Sequence, residues 1–67
     1  MEIIKGESYQ HYKNKRKYIV VDFCEIQIAD VWEHGVIYMN LSGEKFVREV
    51  ADFKEKFTHY HEKKSFK

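Results

Sequence analysis

Residues 18–31, YIVVDFCEIQIADV, crowd β-branched and aromatic side chains into one run. Such residues fit a pleated, half-buried surface, so the run reads as a long strand. Its apolar pattern changes partway. Ile19, Val21 and Phe23 share one face of an ideal strand, whereas Cys24, Ile26 and Ile28 share the other. Strand side chains alternate strictly, so a switch of face at Phe23-Cys24 requires a bulge, a strong bend, or cover on both sides. A bend is the expected cause in a small barrel.

Working outward, VWEHGVIYMNL at residues 31–41 reads as strand, turn, strand, with Glu33-His34-Gly35 as the turn and residues 36–41 as the second arm. Ser42-Gly43 predicts another turn, and EKFV opens a third strand. Proline is absent, so turns fall to glycine, asparagine, aspartate and serine. Gly6 breaks the short apolar stretch Ile3-Ile4, and Asn14, inside HYKNKRK, marks an exposed hairpin tip. Beyond Arg48 the period lengthens: Val50, Phe53, Phe57 and Tyr60 are spaced as one face of an α-helix. Glu49 and Asp52 near its start and Lys63 and Lys64 near its end suit the helix dipole. The expectation is a single domain over residues 1–67, with strands within about 8–48, a helix over about 49–62 and a frayed tail at 63–67. The fold class is mostly β with a C-terminal helix (α+β), a small barrel or an antiparallel meander packed by one helix.

A chain of 67 residues supports one small core, since such a domain buries only about 60% of its unfolded surface. Five Phe, five Tyr and one Trp supply that core, and 43% hydrophobic with 34% charged residues is a globular composition. A lone cysteine, Cys24, excludes an internal disulfide and points to a reducing compartment. The start MEIIKGES lacks the features of a signal peptide, and no apolar run nears the roughly 18 residues that cross a bilayer. A cytoplasmic protein is expected.

The net charge of +1 conceals segregation. Residues 1–18 carry five basic and two acidic side chains, residues 19–53 two and seven, and residues 54–67 five and two, giving balances of +3, −5 and +3. Faces of opposite sign would steer charged partners.

At GESYQHYKNKRKYIVV, residues 6–21, the chain resembles a small bacterial and bacteriophage domain family of unknown function. Its members open with Gly, a Tyr-x-His-Tyr-Lys stretch, and a strand that begins with Tyr and continues with valines. Those positions are Gly6, Tyr9, His11, Tyr12, Lys13, Tyr18, Val20 and Val21. A second strand with a central aromatic compares with VIYMNL. The family's ending, aromatic-Val-Arg-Pro followed by Phe and Glu-Lys, compares with KFVREVADFKEKF, where Phe46, Val47 and Arg48 match. Glu49 stands in place of the proline, and the apolar CEIQIADVW replaces a polar turn. The resemblance spans residues 6–57. It implies an SH3-like, mostly β fold and a bacterial or phage source, and it carries no known catalytic activity.

Candidate sites are few. Tyr9, His11, Tyr12, Lys13, Lys15, Arg16 and Lys17 form an aromatic-basic cluster of the kind that stacks bases and replaces counterions at phosphates. The alternative is a solvated hairpin whose tyrosines pack beneath it. Trp32, in ADVWEHG, is expected in the core; exposed, it would form with Val31, Asp30 and Glu33 an aromatic-acidic patch suited to a basic protein surface. His59-x-His61 has the wrong spacing for chelation on a helix, where ligands lie three or four apart. Cys24 in an apolar strand reads as an inert buried thiol rather than a nucleophile. There is no glycine-rich phosphate loop and no carboxylate-pair motif. No catalytic, cofactor or metal residue is assigned, and no enzyme activity is expected.

The expected function is a non-enzymatic binding module, a small phage or bacterial protein that docks on and modulates a host protein. Its contact residues would be Tyr9, His11, Tyr12, Lys13, Lys15, Arg16, Lys17, Asp30, Trp32, Glu33 and Arg48. The alternative is nucleic-acid binding through the basic aromatic turn at residues 9–17. A homodimer through sheet edges is also expected; a membrane partner is not.

Overall fold

The computed structural model describes residues 2–60. Strands β1 (Ser8–His11), β2 (Lys17–Ile28), β3 (Val31–Met39) and β4 (Lys45–Glu49) are followed by helix α1 (Val50–Lys56) and strand β5 (Phe57–His59). All pairings are antiparallel. The sheet order is β4-β3-β2-β1-β5, so the helix carries the chain from one edge of the sheet to the other. The protein is thus mostly β with one short helix, an α+β arrangement, and its sheet is not closed into a barrel.

Sheet curvature follows from chain length. Four inter-strand spacings of about 4.8 Å separate the edges of a flat five-stranded sheet by about 19 Å. The seven residues of α1 rise only about 10 Å. No loop residue lies between β4, α1 and β5, so the sheet must curl to bring its edges within reach.

The concave side holds the core: Tyr9, Val20, Val36, Tyr38, Phe53 and Phe57, with Ile3, Tyr18 and Val50 packed against it. It is largely aromatic. Phe53 stacks flat on Phe57 at 4.0 Å between ring centroids, and Tyr9 and Tyr38 meet Phe53 edge-on at 5.5 and 5.3 Å. Large rings fill a small interior with little loss of rotamer freedom, which suits so short a chain.

A β-bulge does occur in β2, but between Val20 and Asp22 rather than at Phe23-Cys24. The extra residue, Val21, lets Val20 and Phe23 both face inward while Ile19, Cys24, Ile26 and Ile28 face outward. The carboxylate of Asp22 accepts a hydrogen bond from the Phe23 amide at 2.8 Å.

Three further expectations are corrected. The β2–β3 turn is not Glu33-His34-Gly35, which lies within β3, but Ala29-Asp30, both with positive φ (51° and 67°). Two left-handed residues match the right-handed twist of the flanking strands. Gly35 is there for clearance: a Cβ on it would stand 3.0 Å from Cys24 Sγ and 3.1 Å from Ile26 Cγ2 on the neighbouring strand.

The helix does not run over 49–62 but stops at Lys56. Phe57 is extended and pairs with His11, placing Phe57–His59 on the free edge of β1. The strands accordingly run beyond residue 48. Finally, Trp32 is not in the core but 62% exposed. The expected tail at 63–67, with Lys63 and Lys64, lies outside the described residues, as does His61.

Candidate functional site

The basic turn joins β1 to β2. Its backbone is pinned: the Lys15 amide donates to the His11 carbonyl and the His11 amide to the Arg16 carbonyl, both at 3.0 Å. The Asn14 carboxamide oxygen accepts from the Arg16 amide at 2.7 Å, and Gln10 Nε2 donates to the Lys15 carbonyl at 2.9 Å. Asn favours such side-chain-to-backbone turns. With the backbone satisfied, the cationic side chains point outward. Lys13, Lys15 and Arg16 are exposed, and none of them forms an ion pair among the described residues. Lys17 lies over the Tyr60 ring, 4.4 Å from its centroid.

The aromatic members of the cluster separate. Tyr9 is 0% exposed, and its hydroxyl accepts from the Ile4 amide at 2.7 Å and donates to the Glu2 carbonyl. Buried and engaged, it offers no surface to a partner. Tyr12 is exposed and stacks on His11 at 5.2 Å. His11 in turn meets Phe57 edge-on at 4.9 Å, and its Nδ1 accepts from the Lys13 amide at 3.1 Å. Burial, together with the charges of Arg48, Lys56 and Lys13, lowers the His11 pKa, with Asp52 opposing.

Arg48 sits apart, on β4. Its Nε donates to the Tyr38 hydroxyl at 3.1 Å and its Nη1 to Asp52 at 2.6 Å. Burial opposes the Arg48 charge, but the hydrogen bonds to Tyr38 and Asp52 outweigh it and raise the pKa. The hydrogen bonds from Arg48 and Lys56 hold the Asp52 carboxyl below its ordinary value. Arg48 therefore braces α1 against β4. It faces His11 and Asn14 only across a shallow cleft of about 160 Å³ floored by Tyr18, Tyr38, Phe46 and Phe57.

A larger cleft of about 320 Å³ opens between the basic turn and the β3–β4 turn, lined by Lys15, Arg16, Lys17, Asn40, Leu41 and Ser42. Leu41 is 76% exposed. The sequence reading passed over it, although an apolar residue between Asn40 and Ser42-Gly43 stands out at a turn tip.

The second candidate surface lies at the opposite end of β2. β1 reaches only to Ile19 and β4 only to Gly35, so residues 25–34 form a two-stranded ribbon paired with no third strand among the described residues, although Val50, Ala51 and Lys54 of α1 adjoin Glu33 and His34 at its base. The ribbon displays Ile28, Val31 and Trp32, with Phe23 exposed at its base. Asp30, Trp32 and Glu33 do not form one patch. Trp32 pairs with Gln27 and shares the inner side with Phe23 and Glu25, whereas Glu33 pairs with Ile26 on the outer side and Asp30 sits at the tip.

Cys24 is half-buried on the outer face. His59 lies on β5, not on a helix, and its Nε2 contacts the Glu7 carboxylate. Among the described residues no three His, Cys, Asp or Glu side chains converge to hold a metal ion, and no helix is long and apolar enough to cross a membrane.

No family model matches the chain, and neither a curated protein nor a solved structure matches it.

Proposed function

We propose that the chain is a non-enzymatic binding module that docks on another protein through the projecting β2–β3 ribbon. The observation that carries this is Trp32: a tryptophan left 62% exposed on the inner side of a two-stranded ribbon, whose base carries the exposed Phe23 on the same side. Tryptophans presented this way anchor interfaces, and large apolar side chains left in solvent are a liability unless a partner covers them. Glu25 on the same side as Trp32 and Asp30 at the ribbon tip favour a basic partner surface.

The setting proposed is the bacterial cytoplasm, with the chain a phage or bacterial product acting on a host factor. The resemblance over residues 6–57 supports that setting. An SH3-like relationship is proposed with it, supported by the curled sheet and by a helix that links its two edges.

A second reading, nucleic-acid binding, is favoured by one observation: Lys13, Lys15 and Arg16 project from a pinned turn beside the exposed Tyr12 ring.

Capture from bacterial lysate, with and without nuclease, separates the two. The tagged chain is expected to retain one dominant protein in both samples. Trp32→Ala should lose it at unchanged circular dichroism, while Lys15→Glu/Arg16→Glu/Lys17→Glu should retain it. A captured set that vanishes with nuclease and with the triple reversal would replace docking by nucleic-acid binding, whose affinity would fall linearly with the logarithm of salt concentration.

A further inference from the structure

The outer face of the sheet, opposite the core, is apolar along most of its length. Register pairing puts Ile19, Cys24 and Ile26 of β2, Ile37 and Met39 of β3 and Val47 of β4 on this side, ending in the tip pair Ile28 and Val31. The Gly35 contacts confirm the facing, because the Cys24 sulfur and the Ile26 side chain lean over that glycine. Val47 and Val31 are each 53% exposed. Ile28 is 44% exposed, while Ile19, Cys24, Ile26, Ile37 and Met39 are half-buried, so the strip is a partly open apolar surface that a partner can cover.

Charge decides what covers it. The ribbon end of this face is acidic, with Asp30 at the tip and Glu33 on the outer side, and no Lys or Arg occurs from residue 18 to residue 44. The other end of the sheet is basic, with Lys13, Lys15, Arg16 and Lys17 in the turn and Lys45 opening β4, against Glu44. The two ends are separated by the twelve residues of β2, about 40 Å of extended chain.

We propose that the outer face binds a second copy of this chain, in an antiparallel dimer whose acidic ribbon tips lie over each other's basic turns. A two-fold axis through the middle of β2 brings each tip to the partner's turn at both ends at once and closes the assembly at two. A parallel arrangement would set like charges together. Near the axis, Asp22 already has a cation of its own chain, Lys5, at 3.7 Å, so the two copies of Asp22 meet as compensated charges. Stacked sheets lie about 10 Å apart, so the facing apolar strips can interdigitate. Trp32 stays outside this interface on the inner side of the ribbon, and the dimer does not rest on the docking reading.

Sedimentation velocity over a wide concentration range tests it. The wild-type chain of 8.2 kDa is expected to shift to twice its mass and stop there, and to dissociate at least tenfold more readily at about 0.5 M salt, where the Debye length shrinks to a few ångströms. Lys15→Glu/Arg16→Glu/Lys17→Glu and Asp30→Lys/Glu33→Lys should each be monomeric alone. An equimolar mixture of the two should restore the dimer, because each reversed end then meets its complement. A wild-type chain that stays monomeric overturns the proposal. So does a dimer indifferent to both reversals, which would assign association to the β4 or β5 edge, or a mixture that stays monomeric. Trp32→Ala should dimerise as the wild type does, whether or not it captures another protein.

Discussion

The Tyr9 ring is fully buried among Phe53, Phe57 and Tyr38, while its hydroxyl reaches the N-terminal segment. The residue fastens residues 2–4 to the core, since the Ile4 amide has the phenolic oxygen as acceptor at 2.7 Å. Tyr9→Phe keeps the ring packing and removes that acceptor. A net protein hydrogen bond contributes about 1 kcal/mol, so the variant should be less stable by about that amount, read as a lower urea midpoint with an unchanged slope. Hydrogen exchange at Ile4 should accelerate. The Tyr9 position was legible in the sequence only as an aromatic in a basic cluster. Its burial depends on β1 lying between β2 and β5, a pairing no local pattern announces.

At the scale of elements, the β2–β3 hairpin turns through Ala29 and Asp30, both left-handed and neither a glycine. Left-handed backbone costs an L-residue about 1–2 kcal/mol, less for Asp than for Ala. Nine registered pairs between the two strands hold the turn in place against that cost. Ala29→Asn/Asp30→Gly installs the pair that favours this turn and should raise stability by about 1 kcal/mol, read as a higher thermal midpoint. No change would mean that the ribbon opens before the domain unfolds. Local pattern places the turn at Glu33-His34-Gly35, where a glycine offers a turn signal. Gly35 serves instead to let Cys24 and Ile26 lie over β3. The helix shows the same conflict between local and distant preference. Spacing extends it to Tyr60, but Phe57, Thr58 and His59 pair with β1, whose edge would otherwise keep unpaired amides and carbonyls.

For the whole molecule, acid stability follows from two shifted groups. The His11 pKa lies below its ordinary 6.5 because burial and neighbouring cations disfavour its charged form. The unfolded chain therefore binds more protons here than the folded one, and stability falls as pH drops below about 6.5. The Asp52 pKa lies below its ordinary 3.8 through its bonds to Arg48 and Lys56. Its contribution is complete above that value and is lost as pH falls through the lower folded value. Urea midpoints should thus decline in a first step beginning near neutrality and a second in strong acid. His11→Gln should abolish the first step and spare the second. A first step that persists in His11→Gln would assign it to another group.

The sequence by itself determined the composition of the molecule's parts. β-rich residues 18–31, the Asn14 and Ser42-Gly43 turns, the helical start after Arg48 and the separation of basic from acidic segments are local properties of side chains, and all can be read locally. Tertiary structure decided how those parts are spent. It set the bulge at Val21, halted the helix at Lys56, buried Tyr9 and left Trp32 in solvent. Each of these outcomes depends on which strand lies alongside another, and pairing between distant segments outweighs propensities of a few tenths of a kcal/mol per residue.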